Sequence, residues 1–327
     1  MLEKEPKDWR ELLAQVVNDH AGMQRIIREV GVRDVTIRRW IKGESDPRSQ
    51  NLRHLLGALP EYRDRLLDFF AEEYEDFSDL SLAESIHQEI PASFYLQIFQ
   101  MRSTISSTQR YWSVANAIIA HALSQLDPDN LGMAISVARC MVSEHNGPTI
   151  LSLRQSIGQA TSPWPGNLEQ QALFLGIESL AGYVVSTCRP YEIQNYRENP
   201  EALPGHQFER ESSAAAQPIL YGGRVAGCLL VSSTEPYFFL QPARLSLIAD
   251  YAHLISLAFA PEEFIDPVHI ALRLMPLHSE QKVYFKNFRS RLTDARLKLY
   301  NQRDRDAEQY VWEEIEKEIL DHSSQQE

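Results

Sequence analysis

Apolar positions in the first third of the chain recur every three or four residues. Trp9, Leu12, Leu13, Val16 and Val17 form one such stripe, and Asp8 stands where a helix cap belongs. Gly22 interrupts it, and Met23, Ile26, Ile27 and Val30 make a second. Gly31-Val32-Arg33 reads as a tight turn, because glycine adopts the left-handed backbone that other residues resist. A third helix starts near Asp34, holds Ile37, Trp40 and Ile41, and stops at Gly43. A fourth spans about 51–59 and a fifth about 63–73. Phe94, Ile98, Met101, Ile105, Trp112, Ala115 and Ile119 then predict one or two long helices ending at Leu126.

The pattern changes after Leu126. Residues 132–142 and 149–157 have the apolar content and alternation of strands, with Asn146-Gly147 as the turn signal between them. Residues 162–166 read as a loop, 168–180 as a helix with Leu173, Phe174 and Ile177 on one side, and 182–186 as a strand. Arg189-Pro190-Tyr191 opens an irregular loop to about Glu211. Residues 214–220 and 225–232 form a hairpin through Tyr221-Gly222-Gly223-Arg224, and 242–259 a closing helix. Prolines at 261, 267 and 276 precede a helical stretch over 281–320. The last residues, 322–327, are expected to fray.

With 327 residues the expectation is two domains plus helical appendages. Apolar residues make up 43%, which suits folded cores. No apolar run reaches the length of a membrane span, and the charged start MLEKEPKDWREL lacks a secretory core, so the expected location is the cytoplasm, with no membrane partner. Three widely spaced cysteines, Cys140, Cys188 and Cys228, suggest neither a disulfide framework nor a zinc site. No metal and no cofactor is predicted.

Charge refines this picture. The chain carries a net −13, so any contact with nucleic acid must be local. Residues 20–60 hold eight Arg and Lys against four acids. Residues 61–90 hold two against ten, and 282–305 hold eight against two. The first basic block lies on two helices joined by a three-residue turn, the description of a helix-turn-helix.

The run Gly31-Val32-x-x-x-Thr36-Ile37-x-Arg39-Trp40-x-x-Gly43-x-x-x-Pro47 resembles the Xre/phage-repressor helix-turn-helix family. Met23 and Ile27 stand where that family usually has glutamine and alanine. The resemblance implies that the third helix enters the major groove. Base reading then falls to Val35, Thr36 and Arg39, with Asp34 at the helix start. Arg33, Arg38, Lys42 and Arg48 would hold phosphates, which position the protein without specifying sequence. Double-stranded DNA with a palindromic operator, and a homodimer to match it, are the partners expected.

Downstream, Ala215-Ala216-Gln217-Pro218-Ile219-x-Tyr221-Gly222-Gly223-Arg224-Val225-x-Gly227-x-Leu229-x-Val231-Ser232-Ser233, with Arg189-Pro190 and the closing helix, resembles the GAF domain. That implies a central antiparallel sheet between helices and a pocket for a small-molecule effector or a protein signal. Trp164, Phe174, Tyr183, Tyr191 and Tyr196, with Arg154 and Arg189, could line a mostly apolar pocket, with ordinary core and loop packing as the other reading. His145 and His206 offer haem ligation on chemistry alone.

The expected fold is therefore multidomain, α and α+β. It comprises an all-α helix-turn-helix domain at 1–75, a helical linker at 76–110, a GAF-like domain at 111–260 and C-terminal helices at 261–327. No phosphate loop, nucleophile elbow or metalloprotease motif is present in the sequence, so a regulator is expected rather than an enzyme. A scaffold that assembles protein partners, or a cofactor-bearing light or redox sensor, are the alternatives.

Overall fold

The computed structural model describes residues 6–59, 62–74, 89–143, 147–166, 168, 173–198, 210–299 and 304–323. The chain divides into two compact units, Met1–Glu89 and Ile90–Glu327. Among the described residues no helix is long and apolar enough to cross a membrane.

The first unit is helical: α1 Trp9–Val17, α2 His20–Val30, α3 Asp34–Ile41, α4 Ser49–Ala58 and α5 Arg63–Glu73. Asp8 caps α1 by accepting from the Glu11 amide at 2.7 Å. Gly31 ends α2 at φ 72°, where a side chain would be strained. The apolar stripes converge on one core of Trp9, Leu12, Ile26, Ile37, Trp40, Leu55 and Phe70. Trp9 anchors it. Its ring lies 5.8 Å from Phe70, and its indole donates to Glu73 at 2.7 Å. Within the acidic stretch 61–90, residues 75–88 lie outside the described residues.

The second unit opens with two helices, α6 Ala92–Thr104 and α7 Ser107–Leu126, broken at Ile105-Ser106. Six strands follow: β1 Met133–Cys140, β2 Leu153–Ala160, β3 Leu173–Leu175, β4 Tyr191–Ile193, β5 Ser213–Tyr221 and β6 Arg224–Ser233. They form one antiparallel sheet in the order β3-β2-β1-β6-β5-β4. Helix α8, Leu180–Thr187, interrupts the strand series, and α9, Pro242–Ser256, closes it. Ile135, Val137, Ile157, Leu229 and Val231 pack beneath α7 and α9. Ala138, Leu153, Ala214, Ala216 and Cys228 line the opposite face under α8.

Two sequence expectations are corrected here. Residues 173–175, expected in a helix, are the edge strand β3, and 182–186, expected to be a strand, lie in α8. The run Leu-Ala-Gly-Tyr-Val-Val is buried on almost all sides, and so lacks the periodicity that separates strand from helix. Local chemistry decides instead. Ser179 caps the helix by accepting from the Gly182 amide at 3.0 Å. Asn146, His145 and His206 lie outside the described residues.

The C-terminal stretch, expected as one helical run, is three helices: α10 His278–Phe285, α11 Phe288–Lys298 and α12 Asp304–Ser323. A strap leads to them. Residues 270–275 pass between Ile150-Leu151 and Gly176-Ile177, held by main-chain bonds from Ala271 to Ile150 and from Ile177 to Arg273. A Cβ on Gly176 would meet the Arg273 carbonyl at 2.0 Å, so only glycine admits the strap. Glu178 pins it by accepting from the Gly176 amide at 2.9 Å and the Met275 amide at 3.0 Å.

Helix α10 then finishes the sheet edge. The Gln281 side chain accepts from the Phe174 amide and donates to the Phe174 carbonyl, each at 2.8 Å. One buried amide thus stands in for a neighbouring strand at β3. Gln281→Leu keeps the volume and leaves both main-chain groups without that partner, at a cost of about 2–4 kcal/mol. The expected result is a lower Tm and faster amide exchange at Phe174. Unchanged exchange there would show that the edge does not need Gln281.

Candidate functional site

Helix α3 presents two different faces. Ile37 and Trp40 turn inward and are buried. Val35, Arg38, Arg39 and Lys42 follow helical spacing on the outer side, and all are exposed. Val35 is 61% exposed. Asp34 folds back to accept from the Val35 amide at 2.7 Å. The ion pairs Arg38–Asp34, Arg39–Glu44 and Lys42–Glu44 are all 3.9 Å long between exposed groups, so they restrain these side chains little. Arg33 is exposed at the start of α3, Thr36 is half-buried, and Arg48 is exposed at the start of α4.

The second candidate is a cleft of about 610 Å³ in the other unit. Its floor depends on a β-bulge. Val137 pairs with Ile157, but the next residue, Ala138, pairs with Gln155, so Ser156 is extra. The bulge shifts the side-chain alternation of β2. Arg154 thereby turns to the side of α7 and stands directly opposite Arg139.

Each arginine has a ring and a carboxylate. The Arg139 guanidinium lies 4.2 Å from the Tyr111 ring and 5.4 Å from that of Phe259, and it bonds to Glu263. The Arg154 guanidinium lies 3.5 Å from the Trp312 ring and donates to Glu308 at 2.8 Å. Burial pushes Arg154 down to about 10, with Arg139 adding to the shift and Glu308 opposing it. The Tyr111 hydroxyl is hydrogen bonded to Ser156 Oγ, which also donates to the Val137 carbonyl. Burial raises the Tyr111 hydroxyl. Burial also pushes the Cys140 thiol up to about 12 and raises Cys188 and Cys228, which makes all three poor nucleophiles at neutral pH.

Of the seven residues expected in a ligand pocket, Arg154 alone lines this cleft. Phe174 is fully buried and packs against Phe285 and Trp312. The Tyr183 and Tyr191 rings meet 4.8 Å apart at the surface, and Arg189 is exposed beside them in sequence. Trp164 is half-buried in the loop after β2. Tyr196 lines a separate, open hollow of about 480 Å³ with Arg197, Arg210 and Glu211. The single expected pocket is therefore dispersed. Sequence reasoning missed Arg139, Tyr111, Glu263 and Glu308, because bringing them together requires the bulge register and the path of the C-terminal helices.

The profile of the GAF domain family matches residues 125–259. This segment is a GAF domain. It runs from the last turn of α7 to the end of α9, so the GAF sheet supplies the cleft floor while α12 and Glu263 lie outside the matched range. GAF domains are ligand-sensing regulatory modules. No curated protein matches the chain.

Solved structures similar to the chain include the GAF domain of an Acinetobacter phosphoenolpyruvate-protein phosphotransferase. It is 14% identical, covers 52% of this chain and 93% of its own, and has a TM-score of 0.36. A type II free methionine-R-sulfoxide reductase from Thermoplasma acidophilum is 13% identical, covers 48% and 97%, and also has a TM-score of 0.36. The GAF-B domain of DevS from Mycobacterium smegmatis is 18% identical, covers 45% and 91%, and has a TM-score of 0.31.

Helix α12 is held onto the GAF sheet by the Arg154–Glu308 pair, by Gln309 donating to the Val142 carbonyl at 2.6 Å, and by Glu316. Glu316 is buried against Ser152, whose hydroxyl donates to it. Burial lifts its carboxyl from 4.5 to about 7, with Glu313 reinforcing the shift and Ser152 opposing it. A carboxyl raised on folding favours the native state below its unfolded value and loses that contribution as pH climbs to the folded one. Docking of α12 should therefore weaken between about pH 4.5 and 7. The effect is on the order of 2–3 kcal/mol. Glu316→Gln should flatten the Tm-versus-pH curve across that window and raise Tm at pH 8, followed by tryptophan fluorescence. A variant whose curve tracks the parent would refute the assignment.

Proposed function

We propose that the chain is a sequence-specific DNA-binding transcription regulator. Its helix-turn-helix reads DNA, and its GAF domain senses a small-molecule or protein signal that modulates binding. The observation that carries this reading is the outer face of α3. A core-anchored helix follows a glycine turn and displays Val35, Arg38, Arg39 and Lys42 to solvent. That is the chemistry a major groove requires, with a methyl-bearing residue for thymine and a fork of donors for guanine. The local excess of basic residues over 20–60 supports it in a chain of net −13. One short helix reads one half-site, so the active species is a homodimer on an inverted repeat. The reading assigns no catalytic step and sets the protein to work in the cytoplasm.

The test is a selection on random duplex DNA with the full chain at about 0.15 M salt, since affinities have meaning only at stated salt. An inverted repeat with half-sites about 10–10.5 bp apart, or a multiple of that, is expected. On the selected site Arg39→Ala should cost about 1–3 kcal/mol and relax the preference at one position. Arg38→Ala should weaken all sequences alike and reduce the salt slope by about 1. Variants that bind as the parent does would remove α3 as the reading helix, and a folded dimer that enriches no site would favour a protein-assembling role.

A further inference from the structure

Arg139 and Arg154 stand directly opposite each other and need counter-charges to do so. Like charges directly opposed across an antiparallel ladder destabilise it. A bulge is spent to create this one, by turning Arg154 toward Arg139. Both groups are also under-used. A guanidinium has five N–H donors. Among the described residues Arg139 gives one hydrogen bond, to Glu263, and Arg154 gives one, to Glu308. The buried Nε of Arg154 has no partner among the described residues.

Four carboxylates line the cleft; Glu262 is exposed, and the other three are better occupied. Glu263 accepts from Arg139 and from the Ala260 amide, Glu308 from Arg154 and the Trp312 indole, and Glu313 from Gln309. Unused guanidinium donors therefore remain at the floor, where an acidic group would find them. Higher up, Trp112 and Val142 line the same cleft with apolar surface and are 39% and 48% exposed. A volume of about 610 Å³ suits a small molecule.

We propose that this cleft binds a small organic acid. Its carboxylate takes the Arg139–Arg154 pair, and its apolar body lies against Trp112 and Val142. Glu308 is the resident carboxylate that such a ligand displaces from Arg154. Because Glu308 belongs to α12, displacement loosens one of the ties that hold this helix to the sheet. The inference rests on the reading of the GAF domain as a sensing module and adds the ligand's chemical class.

The probes are benzoate and 4-methylpentanoate, with benzamide and benzylamine as neutral and cationic controls. Each is titrated into the full chain by calorimetry, with tryptophan emission as a second signal. At least one acid should bind saturably and both controls should fail. Arg139→Gln and Arg154→Gln should each weaken binding by about tenfold or more, as expected for loss of a charge-assisted bond. Glu308→Gln removes the competing anion and should tighten binding, a gain that a misfolded variant cannot produce.

Failure of both acids on the parent and on Glu308→Gln overturns the proposal, as does preference for benzylamine or full affinity in a folded Arg139→Gln. In those cases the sensing reading is left to the operator assay with other ligand classes. Conversely, an acid that binds through both arginines yet leaves affinity for the selected operator unchanged upholds the cleft assignment and sinks the regulatory reading.

Discussion

A sheet edge must not be left bare, and the last fifth of this chain is organised around that constraint. Strand β3 has three residues and would expose its outer amides and carbonyls to any passing strand. The molecule covers the edge with a side chain. Gln281 satisfies both main-chain groups of Phe174, so α10 must lie alongside β3. Given that position, Phe174 becomes a core residue for Phe285 and Trp312, and α12 is drawn across β2. Trp312 then lies over Arg154, and Glu308 comes within reach of it. The cleft thus lies where the helices that cover the edge cross the bulged part of the sheet.

A second constraint is the route by which the chain reaches that edge. The strap has room only because residue 176 lacks a side chain, and Glu178 fixes it with two main-chain bonds. These are short-range devices with a long-range result. They set where residues 278–323 begin and hence which side of the sheet those helices cover.

Much of the fold was legible in the sequence because its periodicities are clean. The five N-terminal helices, the hairpin over 213–233 and the closing helix follow from the spacing of apolar residues and the placement of glycines. Legibility failed where burial is two-sided. In α8 nearly every position is apolar, so neither a period of 2 nor of 3.6 stands out. In β3 the strand is too short to alternate. On α3 the spacing of apolar residues marked Val35, Arg38, Arg39 and Lys42 as outward positions, since exposure on a short helix follows from which neighbours are apolar. For the cleft it gave no such sign. The opposition of Arg139 and Arg154 depends on one extra residue, Ser156, in the ladder. Their counter-charges come from Glu263 and Glu308, 124 and 154 positions away.

That Glu263 and α12 lie beyond the matched range has a practical consequence. A fragment trimmed to the family boundaries, ending at Phe259, would keep the sheet, α8 and α9. It would lose Glu263, Glu308, Trp312 and Gln281 together. Two arginines would then confront each other without their carboxylates, Arg154 without the Trp312 ring and Arg139 without that of Tyr111, beside an edge strand with nothing on its outer side. Such a fragment is the natural choice for crystallisation or library screening. It would be prone to pair edge to edge, and its emptied cleft would report on a shape the intact protein never presents.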